Sequence, residues 1–179
     1  VVILATGPAS RLENASLFFV SALNHARERA WLSAAYFVPD DAVMKALQLA
    51  ALRGVDVRII TTAKGDSWFT HLAGFHYIQE LRDLGIRFYA YAPGFMHQKV
   101  MLIDDEISSV GTHNIDNRSF RLNFEVSAVI VDKAFNKEMQ RMFEDDFKQA
   151  KQLDPEDFDR QTLWWRVGVK LSRLAAPLL

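Results

Sequence analysis

The chain has 179 residues, half of them apolar, and its 21 lysines and arginines nearly balance 22 aspartates and glutamates. A chain of this length and apolar content can bury one main hydrophobic core. The net charge of -1 provides no global field for a polyanion such as duplex DNA, so a nucleic-acid partner is disfavoured. The absence of cysteine excludes disulfides, thiolate metal ligands and a cysteine nucleophile.

The ends of the chain differ in character from its body. No apolar run reaches the ~18 residues that predict a membrane span. The chain begins at Val1 with VVILAT, which reads as a strand, and we expect it to be part of a longer polypeptide. Every charged residue after Asp159 is basic. We therefore predict a folded domain at 1–153 and a basic tail at 154–179.

Short β-rich runs alternate with segments of helical periodicity. This pattern predicts an α/β domain, with a mixed, largely parallel sheet flanked by helices on both faces. Strands are predicted at 1–6, 31–38, 55–62, 86–91, 99–104, 107–112 and 124–132, and helices at 13–29, from Asp40 to Gly54, at 68–84 and along the apolar stripe from Phe135 to Phe147.

A histidine and a lysine, His97 and Lys99, lie two residues apart at the start of one predicted strand. Side chains two apart in a strand share a face, so the imidazole and the ammonium point the same way. This pair of side chains is suited to binding an anion. The imidazole titrates near neutrality and can act as nucleophile or proton donor, while lysine neutralises phosphoryl oxygens.

The residues that follow extend this cluster. Asp104 is five positions beyond Lys99, an odd separation, so we expect it to face away and to orient the framework. Gly111 leaves space where backbone or ligand approaches closely, and Asn114 offers an amide donor for an oxyanion. Asn123 and Glu125 share a face, and a carboxylate there would hold one ring nitrogen of His97. The set fits phosphodiester chemistry, and no metal or other cofactor is predicted.

The spacing His97-x-Lys99, four residues, Asp104, six residues, Gly111-Thr-x-Asn114 resembles the HKD motif of the phospholipase D superfamily. A narrower resemblance, to the C-terminal half of bacterial cardiolipin synthases, is carried by YFVPDDAV, RGVDVRII, PGFMHQKVMLIDDE, GTHNIDNRSFRLNFEV and RLAAPLL. It implies a phospholipase D-like fold and an enzyme at the bacterial inner membrane. That enzyme would move a phosphatidyl group from one phosphatidylglycerol to another through a phosphohistidine, releasing glycerol.

The resemblance also implies roles for individual residues. His97 is the nucleophile or the general acid and base, and the second role is favoured because the N-terminal motif often supplies the nucleophile. Lys99 and Asn114 are phosphate ligands, and Glu125 is the partner of the histidine. Two alternatives stay open. One is hydrolysis by water of a lipid or nucleic-acid phosphodiester, and the other is a non-catalytic membrane-bound scaffold.

Two departures from the family pattern stand out. Thr112 replaces the more common serine, and either hydroxyl can donate a hydrogen bond. The superfamily site uses two HKD motifs, whereas this chain has one. The second motif is therefore expected from a preceding half of the same polypeptide or from a second subunit.

Other residues are candidate substrate contacts. Tyr36, Phe37 and Phe95 adjoin strand ends, where they would contact an acyl chain or glycerol, with core packing as the alternative. Gly111 and Thr112 belong to the same predicted pocket. Ser67 would donate a hydroxyl contact or simply cap a helix.

The basic tail predicts an amphipathic helix. Apolar residues recur there at three- and four-residue spacing from Trp164 to Leu178, with cations roughly opposite. Such a helix suits the surface of an anionic membrane, and docking on the missing half is the alternative. The predicted membrane contacts are Trp164, Trp165, Arg166, Lys170 and Arg173.

Overall fold

The computed structural model describes residues 1–10, 12–63, 74 and 77–154. Eight strands form one sheet in the order β1-β9-β7-β6-β2-β4-β5-β10, and β3 and β8 form a separate two-stranded ribbon. The strands are β1 (Val2–Thr6), β2 (Arg29–Ser33), β3 (Phe37–Val38), β4 (Asp56–Thr62), β5 (Arg87–Tyr91), β6 (Val100–Ile103), β7 (Ile107–Gly111), β8 (Ile115–Asp116), β9 (Glu125–Val131) and β10 (Ala150–Gln152).

The α/β class and the mixed sheet are confirmed, but the balance of strand directions differs from the prediction. Among the described strands of the large sheet, only β2-β4 and β4-β5 pair in parallel, and the other five pairings are antiparallel. The reason is the connections. A helix separates β2 from β4 and lets the chain return in the same direction, whereas the turn at 104–106 reverses it directly between β6 and β7.

Helices cover both faces of the sheet, as predicted. The helices are α1 (Asn14–His25), α2 (Asp41–Leu52), α3 (described from 77 to 82), α4 (Asn117–Arg121) and α5 (Lys133–Gln149). The first two pack with Leu32, Ile59 and Met101 into the larger core. On the opposite face, the stripe of α5 packs with Trp31 and Leu102 into a second core. None of the described helices is long and apolar enough to span a membrane.

The predicted strand 31–38 is two strands. The chain leaves the large sheet after Ser33, and β3 then pairs in parallel with β8, which was not predicted. This ribbon brings the segment after Tyr36 beside the segment after Asn114. Strand β10 also lay outside the predicted elements, and it pairs with β5 at the edge of the sheet. The boundary between domain and tail stays a prediction, because residues 155–179 lie outside the described part.

Candidate active site

Three of the predicted site residues, Lys99, Gly111 and Glu125, lie at one end of the large sheet. Lys99 precedes β6, and its carbonyl oxygen accepts a hydrogen bond from the backbone of Gly111, at the end of β7, at 3.1 Å. Glu125 opens β9, which pairs with β7. Because β6 is antiparallel to β2, this is also the end where the parallel strands β2 and β4 finish. Ligands of α/β proteins commonly bind outside the carboxyl ends of such strands.

Lys99 is buried, with 9% of its surface exposed, and its Nζ donates a 2.7 Å hydrogen bond to the carbonyl oxygen of His97. Burial lowers the pKa of Lys99, and the negative charges of Glu125 and Asp116 partly oppose this shift. The ammonium group is therefore a cation largely removed from water, with carboxylates near it. In such an environment its attraction for a phosphoryl oxygen is stronger than at the surface.

Glu125 does not hold His97 in the way we expected. Its Oε1 accepts hydrogen bonds from Ser119 Oγ and from Asn123 Nδ2, each at 3.1 Å. In the described part of the chain, no hydrogen bond joins Glu125 to the ring of His97. The expected pairing is not formed among the described residues, where Glu125 bonds to two donors of its own neighbourhood, and its role towards the histidine stays a prediction. The predicted proximity of Asn123 and Glu125 is confirmed.

Asn114 has a polar atom without a partner. Its backbone N–H donates to Ser119 Oγ at 3.2 Å, but its side-chain Oδ1 is buried and unpaired within the described structure. Leaving a buried acceptor unpaired costs roughly 1–3 kcal/mol. A hydroxyl or protonated oxygen of a bound ligand would supply the missing donor. The same Ser119 hydroxyl thus connects Asn114 to Glu125.

His97 lies at the surface of the site. Its side chain is exposed, and the ring of Phe95 stacks on it with 5.7 Å between ring centroids and 25° between ring planes. Met96, between them, is buried in the second core. The alternation places Phe95 and His97 on the same side of an extended segment. An exposed imidazole is accessible to a phosphodiester.

Asp104 lies at the other end of β6, away from the site. Its carboxylate accepts hydrogen bonds of 2.8 to 3.2 Å from the backbone N–H groups of Arg27, Glu28 and Arg29. Burial alone would raise the pKa of Asp104, but these three donors lower it overall. The residue has a left-handed backbone with φ of 48°. This geometry matches the expectation that Asp104 orients the framework.

Gly111 and Thr112 contact the protein rather than open space. A Cβ at Gly111 would lie 2.2 Å from Ser127 Oγ and 2.3 Å from the carbonyl oxygen of Val126, so only glycine fits there. The hydroxyl of Thr112 accepts a 3.0 Å hydrogen bond from the N–H of Val126. The two residues hold β7 and its exit close to β9.

The candidate substrate contacts differ in their burial, and some of them lie outside the described residues. Phe37 is a correction, because it is 3% exposed and packs edge-on against Phe88 in the larger core, where no substrate reaches it. Tyr36 is half-buried, and its role as a substrate contact stays a prediction. Phe95 is exposed beside His97. Ser67 and the tail contacts Trp164, Trp165, Arg166, Lys170 and Arg173 lie outside the described residues.

Sequence reasoning missed two polar residues near the site, Asp116 and Ser119. Asp116 is buried, which raises the pKa of its carboxyl group, and it caps α4 by accepting from the N–H of Ser119 at 2.7 Å. The Asp-x-x-Ser spacing at a helix start was the available signal. His113 is buried and bonded through both ring nitrogens, to Thr6 and to Ser127, at 2.8 Å each. Burial lowers the pKa of His113, so the ring is a neutral connection between β1 and β9.

No group of three or more histidine, cysteine, aspartate or glutamate side chains in the described ranges is placed to hold a metal ion.

Comparison with known proteins identifies the family. The family model described as cardiolipin synthase, PLD-like domain, matches residues 19–147. Cardiolipin synthase A of Pseudomonas putida (strain W619) is 45% identical over 98% of this chain and 37% of its own length. Cardiolipin synthase A of Pseudomonas fluorescens (strain SBW25) is 46% identical over 99% of this chain, again covering 37% of that relative. The chain thus spans little more than a third of the length of these curated relatives.

Solved structures share the fold at lower sequence identity. Nuc from Salmonella typhimurium, a phospholipase D family member, superimposes with a TM-score of 0.72 at 23% identity, over 85% of this chain and 97% of that chain. Phosphatidylserine synthase from Haemophilus influenzae Rd KW20 gives a TM-score of 0.73 at 15% identity, over 99% of this chain and 47% of that chain. With the family model and the curated relatives, this fold establishes that the chain belongs to the cardiolipin synthase family of phospholipase D-like domains.

Proposed function

We propose that the polypeptide carrying this chain is a phosphatidyltransferase of the cardiolipin synthase type. Its substrates are two molecules of phosphatidylglycerol, and its products are cardiolipin and glycerol. The observation that carries the proposal is the cluster at one end of the sheet. There Lys99 has a buried side chain, Asn114 has an Oδ1 that is unpaired within the described structure, and His97, two residues before Lys99, has an exposed imidazole.

The reaction proceeds in two displacements at phosphorus. A histidine of a second HKD motif attacks the phosphorus of one phosphatidylglycerol, forming a P–N bond while the P–O bond to glycerol breaks. His97 donates a proton to the departing glycerol oxygen. His97 then takes the proton from a hydroxyl of the second phosphatidylglycerol, whose oxygen attacks the phosphohistidine and breaks the P–N bond. Lys99 neutralises the phosphoryl oxygens in both steps.

The second HKD motif comes from another half of the same polypeptide. The relatives are much longer than this chain, which leaves room in them for such a domain. An apolar surface beside the site supports a partner there. Phe124 and Val126 flank Glu125 and are 82% and 43% exposed, and Ile3 on the neighbouring strand is also exposed. A contact on this surface would bring a second histidine and lysine towards His97.

Replacement of His97 tests the proposed function. In the full-length polypeptide with phosphatidylglycerol vesicles, His97→Ala is expected to abolish both cardiolipin formation and glycerol release. His25→Ala is the matched control, because His25 is exposed at the opposite end of β6. Cardiolipin formation that survives His97→Ala would end the proposal. Phosphatidic acid in place of cardiolipin would indicate hydrolysis, and no turnover by the wild-type protein would indicate a scaffold.

Trapping the phosphoenzyme tests the division of roles. The phosphoryl group is expected on a histidine outside this chain. Its discovery on His97 would make His97 the nucleophile and leave the acid and base role to the other motif.

The site of action is the inner membrane of a bacterium, with the tail on the lipid surface. The cations of the tail each contribute on the order of 1 kcal/mol of attraction to anionic lipid. Sedimentation with phosphatidylglycerol liposomes is expected to weaken when residues 160–179 are removed. Equal binding of both forms would contradict the membrane role of the tail.

A further inference from the structure

An imidazole that transfers protons must be held in one orientation, and the usual device is a hydrogen bond to one ring nitrogen. In this structure Glu125 bonds instead to Ser119 and Asn123. Among the described residues, neither ring nitrogen of His97 has a hydrogen-bond partner. Within the described part of the chain, the contact of the ring is therefore a stacking contact and not a hydrogen bond.

The contact that His97 does make is with the side chain of Phe95. The two ring planes are 25° apart and the centroids 5.7 Å apart, which is a stacked arrangement. Phe95 is 49% exposed, so about half of its surface is covered by the protein. Its stacking partner is the one histidine of the HKD motif.

The backbone on both sides of this pair is fixed. Met96 is buried in the second core, and its sulfur accepts a 3.4 Å hydrogen bond from Ser33 Oγ. On the other side, Lys99 Nζ donates to the carbonyl oxygen of His97. With Met96 pointing inward, the extended segment presents Phe95 and His97 together on the outer side. The stacking is thus a consequence of an anchored backbone.

We propose that Phe95 is a positioning residue that orients the imidazole of His97 by stacking on one ring face. This inference rests on the proposed phosphatidyl transfer, and it adds a residue outside the HKD motif to that site. The stacked ring restricts rotation of the imidazole and shields one of its faces from water, while the stacking itself occupies neither ring nitrogen. Phe95 therefore acts through His97 and not by binding the substrate.

The test compares Phe95→Leu with Phe95→Tyr in the full-length polypeptide, using phosphatidylglycerol vesicles. Leucine keeps the apolar volume but cannot stack, so kcat is expected to fall about threefold to tenfold, with KM within about twofold of wild type. Tyrosine keeps the ring and is expected to restore kcat to within about twofold. Leu52→Ala is the control, because Leu52 is 73% exposed at the end of α2 and far along the chain from the site.

Each other outcome would overturn the inference. A higher KM with unchanged kcat in Phe95→Leu would make Phe95 a lipid contact. Equal losses in the leucine and tyrosine variants, with a lower melting temperature, would make it a packing residue. An unchanged kcat would leave the stacking without a role. His97→Ala separates this inference from the proposed function, since activity lost in that variant but retained in Phe95→Leu refutes the positioning role alone.

Discussion

The charged residues at the two ends of strand β6 differ in how the protein hydrogen-bonds and buries them. At one end, the carboxylate of Asp104 is fully occupied by backbone N–H groups at 27–29. At the other end, burial lowers the pKa of Lys99 and so disfavours its charged form. The side-chain Oδ1 of Asn114 has no partner within the described structure. Four strand residues separate the two environments.

Within this one short strand, one end contributes to the stability of the fold and the other end contributes to the reactivity of the site. At the Asp104 end, every interaction is made with the protein itself, so the end contributes to folding. At the Lys99 end, the ammonium group has one acceptor, the carbonyl oxygen of His97, and Asn114 Oδ1 has no partner within the described structure. This end therefore contributes less to stability and leaves polar groups for a ligand. Local departures of this kind are expected at functional sites. Substitutions at the Lys99 end should therefore lower activity more than stability, and substitutions at the Asp104 end should lower stability more than activity.

Lys99→Met is expected to give the largest effect. Removing the cation that we propose neutralises the phosphoryl oxygens should lower kcat/KM by about a thousandfold or more. The melting temperature should change little, because the ammonium group no longer has to lose its water, and this gain offsets the lost hydrogen bond to the carbonyl oxygen of His97. Activity assays with phosphatidylglycerol and thermal unfolding of the same preparations check both parts.

Lys99→Arg serves as the charge-preserving comparison. It keeps the positive charge but replaces a compact ammonium group with a planar fork, so we expect activity between wild type and Lys99→Met. If Lys99→Met unfolded readily while keeping its activity, the two ends of β6 would not differ in the way proposed here.

Asn114→Ala is expected to give the next largest effect on activity. Loss of the side-chain amide, the proposed donor to the phosphoryl oxygens, should lower kcat by about a hundredfold. Stability should not fall, because the Oδ1 atom that is removed has no partner within the described structure. Asn24→Ala, at an exposed position of α1, is the control. A melting temperature clearly below that of the control would show that Asn114 serves the fold instead.

Sequence reasoning reached those parts of the site that depend on local spacing. His97 and Lys99 are two residues apart, and Asp104 is an odd number of residues further on. Both separations predict the side-chain directions of a strand, and the structure confirms that Asp104 lies at the end of β6 away from Lys99. The strands and helices with clear periodicity were also predictable, since their buried faces repeat along the chain.

Long-range partners were not predictable from spacing. Strand β8 has two residues and shows no periodicity, so the ribbon with β3 had no signal. Glu125 was expected to bond with His97, but it accepts a hydrogen bond from Ser119 instead. Ser119 lies in the short helix α4, which directly follows the ribbon strand β8. The prediction of a largely parallel sheet was wrong for the same reason, because the direction of each strand depends on the connections between strands and not on the strand sequences.

Asp104→Asn is expected to give the smallest effect, and it changes stability rather than activity. Asparagine tolerates the left-handed backbone at this position but loses the charge that accepts three backbone N–H groups, so the free energy of unfolding should fall by about 2 kcal/mol at neutral pH. Glu106→Gln, an exposed change in the same turn, is the control.

The pH dependence of this difference gives the sharper test. The pKa of Asp104 is lower in the folded chain than the ordinary value of about 3.9 expected on unfolding. The folded state therefore favours the ionised carboxylate, and its contribution is fully present above the ordinary pKa and is lost as pH falls through the folded pKa. Denaturant unfolding of wild type and Asp104→Asn should converge as the solution is acidified through that window. A difference that stays constant there would mean that the charge of Asp104 does not stabilise this end of β6.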